Sequence, residues 1–431
     1  MDPTEKNWTK KYIEHRVEFD FSKNLPLDQA ADKCLYKYIQ TTGFIYGHPI
    51  DLPSEIEINT SDWPVKERME VILFESLIAA FLLKNKLKGS LEDLNIAYKE
   101  ITKFYQKANP ELAKKGFFES KNRTDEQILE SVFSKRVKVK AEWNSSFWQG
   151  FFHNILLFGD VVVFMEYLNN PNNTTQYITE YAKLMHTHIL HLLTVILNIN
   201  KDTKDINIKY FHYFLESTSL SKQDKKEAIN WHSVSYDKEF QKHYNDSSWL
   251  KRKYILDLGV LSVWADQSVS LLEKEMLIEL ATKLQLDSME LEYSGFAVET
   301  FVLNNWNKVH YLQQKQSYLV LSKRITSRMK SITKKYSSFI KSEIAEDKEL
   351  LDLLQTSQER PLSIDEKDKV RRQLVDVLKL IPAFVVLAMP MAFLTVPILL
   401  KILPKELFPS SFNPNALTTP RRRGRNNIIE G

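Results

Sequence analysis

Residues 380–400 read LIPAFVVLAMPMAFLTVPILL, and no charged side chain interrupts them between Lys379 and Lys401. As a helix rising about 1.5 Å per residue, this run reaches roughly 30 Å, the hydrocarbon thickness of a bilayer. Pro382, Pro390 and Pro397 lie inside it, and Pro404 follows. Each interior proline would cost a water-exposed helix about 3 kcal/mol, whereas in lipid Thr395 or a neighbouring helix can meet the freed backbone groups. The stretch predicts a proline-kinked transmembrane segment over 377–405, followed by a basic tail over 406–431. Lys367, Lys369, Arg371, Arg372 and Lys379 crowd its N-terminal side, with only Lys401 and Lys405 close on the other. That asymmetry, and an N-terminus without an apolar leader, put the bulk of the chain in the cytoplasm. Arg421, Arg422, Arg423 and Arg425 prefer the same side, and a hairpin returning to the cytoplasmic face would satisfy both clusters.

Working outward, glycine decides the fold class. Ten Gly in 431 residues is about 2%, against an average near 7%. Hairpin turns, bulges and phosphate loops need more, which leaves an all-α chain: a multi-helix cytoplasmic region with one C-terminal membrane segment. The single Cys34 excludes a disulfide scaffold and a cysteine zinc site. A mean hydropathy of −0.34 excludes a polytopic membrane protein. The net charge of +4 sits almost wholly in the terminal arginines, so it carries no argument for DNA.

The rest divides into 1–115, 116–205, 206–320 and 321–376. Within the first, Ser61-Asp62 before Pro64 predicts a helix start, and Gly89 predicts its end near Lys88. A second helix is expected over Leu91–Lys107. The 116–205 stretch holds a polar, basic piece, then the apolar 147–168, read as a buried core helix because Asp160 and Glu166 would be costly in lipid. A core helix over 176–198 follows. There Asp160 is either a functional carboxylate or a paired core residue, and His186, His188 and His191 are either metal ligands or core histidines.

In 252–286, a helix to about Trp264, a turn at Asp266-Gln267-Ser268 and a helix capped by Ser270 and Glu273 resemble the small domain of tellurite-resistance B-type proteins. That likeness implies a cation site on Asp266 and Glu273, with helix capping as the plainer role for both. Residues 322–356 read as one helix of split charge. Lys323, Arg324, Arg328, Lys330, Lys334 and Lys335 precede Glu343, Glu346, Asp347, Glu349 and Asp352. Ile325, Met329, Ile332, Tyr336 and Phe339 recur at intervals of four and three, which predicts packing against a neighbour. The basic face is suited to anionic headgroups or to RNA phosphates.

Leu362-Ser363-x-x-Glu366, Arg371-Arg372-Gln373, Asp376, the prolines 382, 390 and 397, Leu400-Lys401-Ile402-Leu403-Pro404 and Phe408-Pro409-Ser410-Ser411-Phe412 form a further pattern. It resembles the membrane segment of the leucine-zipper/EF-hand transmembrane family. The residues that carry the membrane motif are Pro382, Pro390, Pro397, Lys401, Pro404, Pro409 and Phe412. The resemblance implies an inner-membrane protein that binds ribosomes or exchanges cations for protons. Its likeness is to bacterial, biofilm-associated members. Phe393 stands where the family usually has a glutamate, and the part of the family held responsible for ribosome contact is expected to lie beyond Phe412. The sequence contains no GxSxG, no phosphate loop and no paired catalytic signature. It therefore reads as a non-enzymatic, membrane-anchored interaction or scaffold protein without a cofactor. Its expected partners are the membrane, the ribosome and a second copy through the membrane segment. Cation/proton antiport (ion homeostasis) through oligomerised spans is the alternative.

Overall fold

The structure is a computed structural model. It describes residues 1–19, 21, 30–53, 56–108, 124–137, 154–170, 174–199, 211–212, 214–218, 220–229, 248–264, 271–305, 315–381 and 395–403. Every regular element among them is helical. Two compact units are formed, the first from Met1–Phe301 with Asn305–Gln313 and the second from Val302–Asn304 with Gln314–Gly431.

The first unit is organised on α3, Val65–Asn85. All residues from Met69 to Leu83 are buried, so this helix is covered all round instead of along one stripe. Its start differs from the sequence expectation. Pro64 occupies the N-cap position without a side-chain hydrogen bond, and Ser61-Asp62 do not cap. Its end comes earlier too: Lys86 adopts a left-handed conformation (φ 55°), and the Leu87 amide donates to the Leu82 carbonyl at 2.9 Å. Gly89 serves the next helix instead. The left-handed turn at Gly89 (φ 87°) delivers Ser90, whose hydroxyl accepts from the Asp93 amide at 3.2 Å. The Asp93 carboxylate accepts from the Ser90 amide at 3.0 Å, completing a capping box.

That box opens α4, Leu91–Ala108. It buries Leu94, Ala97, Tyr98, Ile101, Phe104 and Tyr105, the spacing of an amphipathic helix. Helices α1 (Trp8–Arg16), α2 (Ala31–Gln40) and α5 (Asp125–Arg136) close around α3 and α4. At their meeting point the Phe74 ring lies 5.6–5.9 Å from the rings of Trp8, Tyr12, Tyr98 and Phe133. The other side of α3 is covered by α6 (Gly159–Asn169), which packs on α7 (Thr175–Ile199). Helix α8 is Lys222–Ile229; α9 (Trp249–Trp264) packs on α7, α2 and α10 (Leu271–Lys283), and α11 is Ser288–Asn304. Of the apolar stretch ending at Leu168, 159–168 form a buried core helix, while the described residues before it, 154–158, are buried turn.

Among the carboxylates buried in this core, Glu75, Asp160 and Asp257 are each met by a cation and by hydroxyl donors. Glu75 accepts from Arg16 Nε at 3.1 and 3.0 Å, and from the Tyr12 and Tyr38 hydroxyls at 2.8 Å each. Asp160, at the start of α6, takes the Arg136 guanidinium bidentately at 2.8 and 2.7 Å, with the Tyr105 hydroxyl at 3.1 Å. It is a paired core carboxylate. Asp257 accepts from Gln40 at 3.1 Å, Tyr46 at 3.0 Å and Ser294 at 2.5 Å, with Lys253 3.1 Å away. Lys251 is also buried, with its ammonium 5.0 Å from the Tyr181 ring centre. Burial pushes its pKa down to about 8 against the pull of Glu166.

The second unit holds α12 (Lys315–Lys335), α13 (Ser337–Glu346), α14 (Lys348–Glu359), α15 (Ile364–Lys379) and α16 (Val396–Ile402). The single helix expected over 322–356 is broken twice. Tyr336 (φ −99°, ψ 19°) and Asp347 (φ −85°, ψ 88°) leave helical geometry, and the Asp347 carboxylate accepts from the Leu350 amide at 3.0 Å to start α14. No helix among the described residues is long and apolar enough to cross a membrane. Of the expected membrane segment, 382–394 and 404–405 lie outside the described residues, as does the tail.

Removing one member of a buried ion pair strands the other. Arg16→Met is therefore expected to destabilise the first unit by about 3–5 kcal/mol in chemical denaturation followed by circular dichroism. A loss under about 1 kcal/mol would contradict the assigned charge pairing. Lys251 binds its proton less tightly when folded than when unfolded, so stability should rise as pH climbs from about 8 toward 10.5. Lys251→Met should raise stability at pH 7 by about 1–3 kcal/mol and flatten that rise, read from melting curves across pH.

Candidate functional site

The second unit presents two charged surfaces of opposite sign. On α12, Leu321, Ile325, Met329 and Ile332 are buried and face the neighbours α13 and α16. The same helical period leaves Lys323, Arg324, Lys330, Lys334 and Lys335 exposed, with Arg328 half-buried. Lys341 continues the exposed positive charge onto α13. From Lys315 through Ser342 the sequence supplies no acid, so this face has no carboxylate of its own helix beside it. Like charges four apart, as at Lys330 and Lys334, weaken a helix by a few tenths of a kcal/mol each; the buried seam offsets this. The expected heptad seam holds at Ile325, Met329 and Ile332, while Phe339 at its end is 37% exposed because the break at Tyr336 turns it outward.

Helix α16 is pinned to the same unit. Val396, Leu399, Ile402 and Leu403 are buried, and α16 packs on both α12 and α15. The Thr333 hydroxyl, wholly buried on α12, donates to the Ile402 carbonyl at 2.5 Å. Lys401 remains exposed and Pro397 lies within the first turn of α16. The other residues of the membrane motif, Pro382, Pro390, Pro404, Pro409 and Phe412, lie outside the described residues.

Helix α15 starts on a capping box. Ser363 accepts from the Glu366 amide at 3.2 Å, and Glu366 accepts from the Ser363 amide at 2.7 Å. Arg360 adds a fork to Glu366 at 3.0 and 2.6 Å. The Arg360 guanidinium, with the Ser363 donors, holds the Glu366 carboxyl down at about 2. Further along, Arg371 and Arg372 share Asp368 at 2.8 and 3.2 Å, and Lys369 pairs with Glu349. The basic flank of the apolar run is thus largely neutralised locally, which the sequence count of positive residues did not reveal. The α12 face is the larger block of positive charge without acids on its own helix.

Opposite in sign is a cleft of about 360 Å³ lined by Glu343, Glu346, Asp347, Gln373, Asp376, Val377 and Leu380. Sequence reading found its first three acids but placed them on one continuous helix. Asp376 joins them only because the chain breaks at Asp347 and α15 folds back on α13.

The cation site expected on Asp266 and Glu273 falls partly outside the described residues. Asp266 lies outside the described residues, and Glu273 is buried on α10 in the first unit. No group of three or more His, Cys, Asp or Glu suited to a metal occurs among the described residues. His186 and His188 are both buried on α7. Burial, with Arg136 and Lys225 nearby, lowers the His186 pKa to about 3, so its ring stays neutral. The side chain of His191 lies outside the description.

Residues 362–427 match the family described as LETM1-like, RBD, a ribosome-binding domain. The matched stretch begins at the residue before the α15 capping box and includes α15 and α16. The match covers the membrane motif and continues past Phe412, the side on which ribosome contact was expected, to residue 427. No curated protein matches the chain. No solved structure matches it either.

Thr333→Val removes the hydroxyl that satisfies a buried carbonyl of α16. Loss of such a bond costs about 1–3 kcal/mol, and amide exchange over 396–403 should accelerate by about tenfold or more. Unchanged exchange there would show that α16 is not held by this contact.

Proposed function

We propose that this chain is a non-catalytic, membrane-tethered ribosome-binding protein related to the leucine-zipper/EF-hand transmembrane family. The match of 362–427 to a LETM1-like ribosome-binding domain is the observation that carries the reading. The second unit supplies a chemical means. Ribosomal RNA is a polyanion, and the exposed Lys323, Arg324, Lys330, Lys334 and Lys335 lie on the helix against which α16 of the matched stretch is packed. The uncharged run 380–400 supports a lipid-associated tether, and the family likeness supports the cytoplasmic membrane of a bacterium as its place. The helical first unit then serves as the interaction or scaffold body.

Co-sedimentation of the full chain with purified ribosomes at graded salt tests this. Affinity should fall steeply as salt rises. Lys323→Gln, Lys330→Gln and Lys334→Gln combined should weaken binding at least tenfold at about 0.1 M salt and flatten the logarithmic salt slope by about 2–3. Binding that is absent at low salt, or that is indifferent to the triple substitution, would refute the assignment of the α12 face.

A further inference from the structure

The exposed side of α12 carries a pattern finer than its net charge. At about 100° per residue, Lys323, Lys330 and Lys334 fall on one line along the helix, within about 40° of one another. Arg324, the half-buried Arg328 and Lys335 fall on a second line about 120° further round. Between the two lines lie Val320, Ser327 and Ser331, all exposed, while the buried seam occupies the opposite side. On a cylinder about 10–12 Å across, the lines stand about 10 Å apart. The floor between the long cationic side chains is thus made of small residues. Its hydroxyls are free to turn outward. Thr326 and Thr333 on the same helix bond back to the Ser322 and Lys330 carbonyls at 2.8 and 3.1 Å, whereas Ser327 and Ser331 make no hydrogen bond among the described residues.

Resting on the ribosome-binding reading above, we propose that α12 binds a single RNA strand lengthwise, its phosphodiester backbone lying along Ser327 and Ser331 with a row of cations on each side. A backbone in that position brings its phosphates within reach of both rows, and the serine hydroxyls donate to phosphate oxygens from the floor. From Lys323 to Lys334 the track is about 16 Å long, enough for a few nucleotides. A positively charged groove of this kind follows the backbone and is indifferent to base identity. A planar layer of lipid headgroups would instead meet the tips of the cationic side chains and leave the floor empty. A longer side chain at 327 or 331 would fill the valley and lift the strand away from both rows.

Fluorescence anisotropy of the full chain with a short fluorescein-labelled oligouridylate, beside ribosome co-sedimentation, tests this. The logarithmic salt slope should be about −2 to −4, the value for about three to six phosphates of a single strand. Ser327→Leu with Ser331→Leu leaves every charge in place and suits exposed helix positions. It should weaken oligouridylate binding at least tenfold, and Ser327→Gln with Ser331→Gln should do the same, with helicity unchanged in circular dichroism. Binding that survives both pairs of substitutions, or that is at least as tight when the strand is paired with oligoadenylate, would overturn the lengthwise track. So would a chain that binds vesicles of equal parts phosphatidylcholine and phosphatidylglycerol but no oligouridylate, which assigns the face to lipid. Leucine-sensitive oligouridylate binding without any ribosome binding would uphold the track and refute the ribosome reading alone.

Discussion

A carboxylate carried into a protein core must be met there by a cation or by hydroxyl donors, because the desolvation penalty is several kcal/mol per ion. Glu75 enforces this on the first unit. It lies at the centre of the all-round buried α3, and its four donor contacts come from α1 and α2. Those helices cannot be placed elsewhere without leaving a buried charge bare. Asp160 does the same for α4, α5 and α6, and Asp257 for α2, α9, α11 and the 3-10 turn Phe44–Tyr46. Burial holds the phenols of Tyr12, Tyr46 and Tyr105 well above their ordinary range, so they stay protonated and donate to these carboxylates. Apolar contact supplies most of the area, while these charged junctions select which helix meets which.

How much of this was legible in the sequence depends on distance along the chain. The glycine shortage and the apolar spacing in α3, α4 and α7 are local signals, and they give the helical class and most helix positions. The ionic junctions are not local. Gln40 and Asp257 are 217 residues apart, and Arg16 and Glu75 are 59 apart. An acid inside an apolar helix, as in Phe74-Glu75-Ser76, signals that some partner exists but not which. Helix ends failed for another reason. Gly89 drew attention as a stop, yet Lys86 paid the small cost of a left-handed residue first, and the glycine was used to start α4.

In the candidate site, the basic face was readable because it lies on one helix. The acidic cleft was not, because it needs the turn at Asp347 and the return of α15. Of the apolar run, Ile381 and Val396 are buried within the second unit, while 382–394 lie outside the described residues.

The opposite signs of the α12 face and the α13–α15 cleft give the second unit a strong charge asymmetry. In the field of a polyanion such a body experiences a torque as well as an attraction. It would tend to turn its lysine-bearing helix forward before any contact is made. Charge placement in this unit thus governs the angle of approach as well as the strength of the encounter, and added salt would erase the alignment along with the attraction.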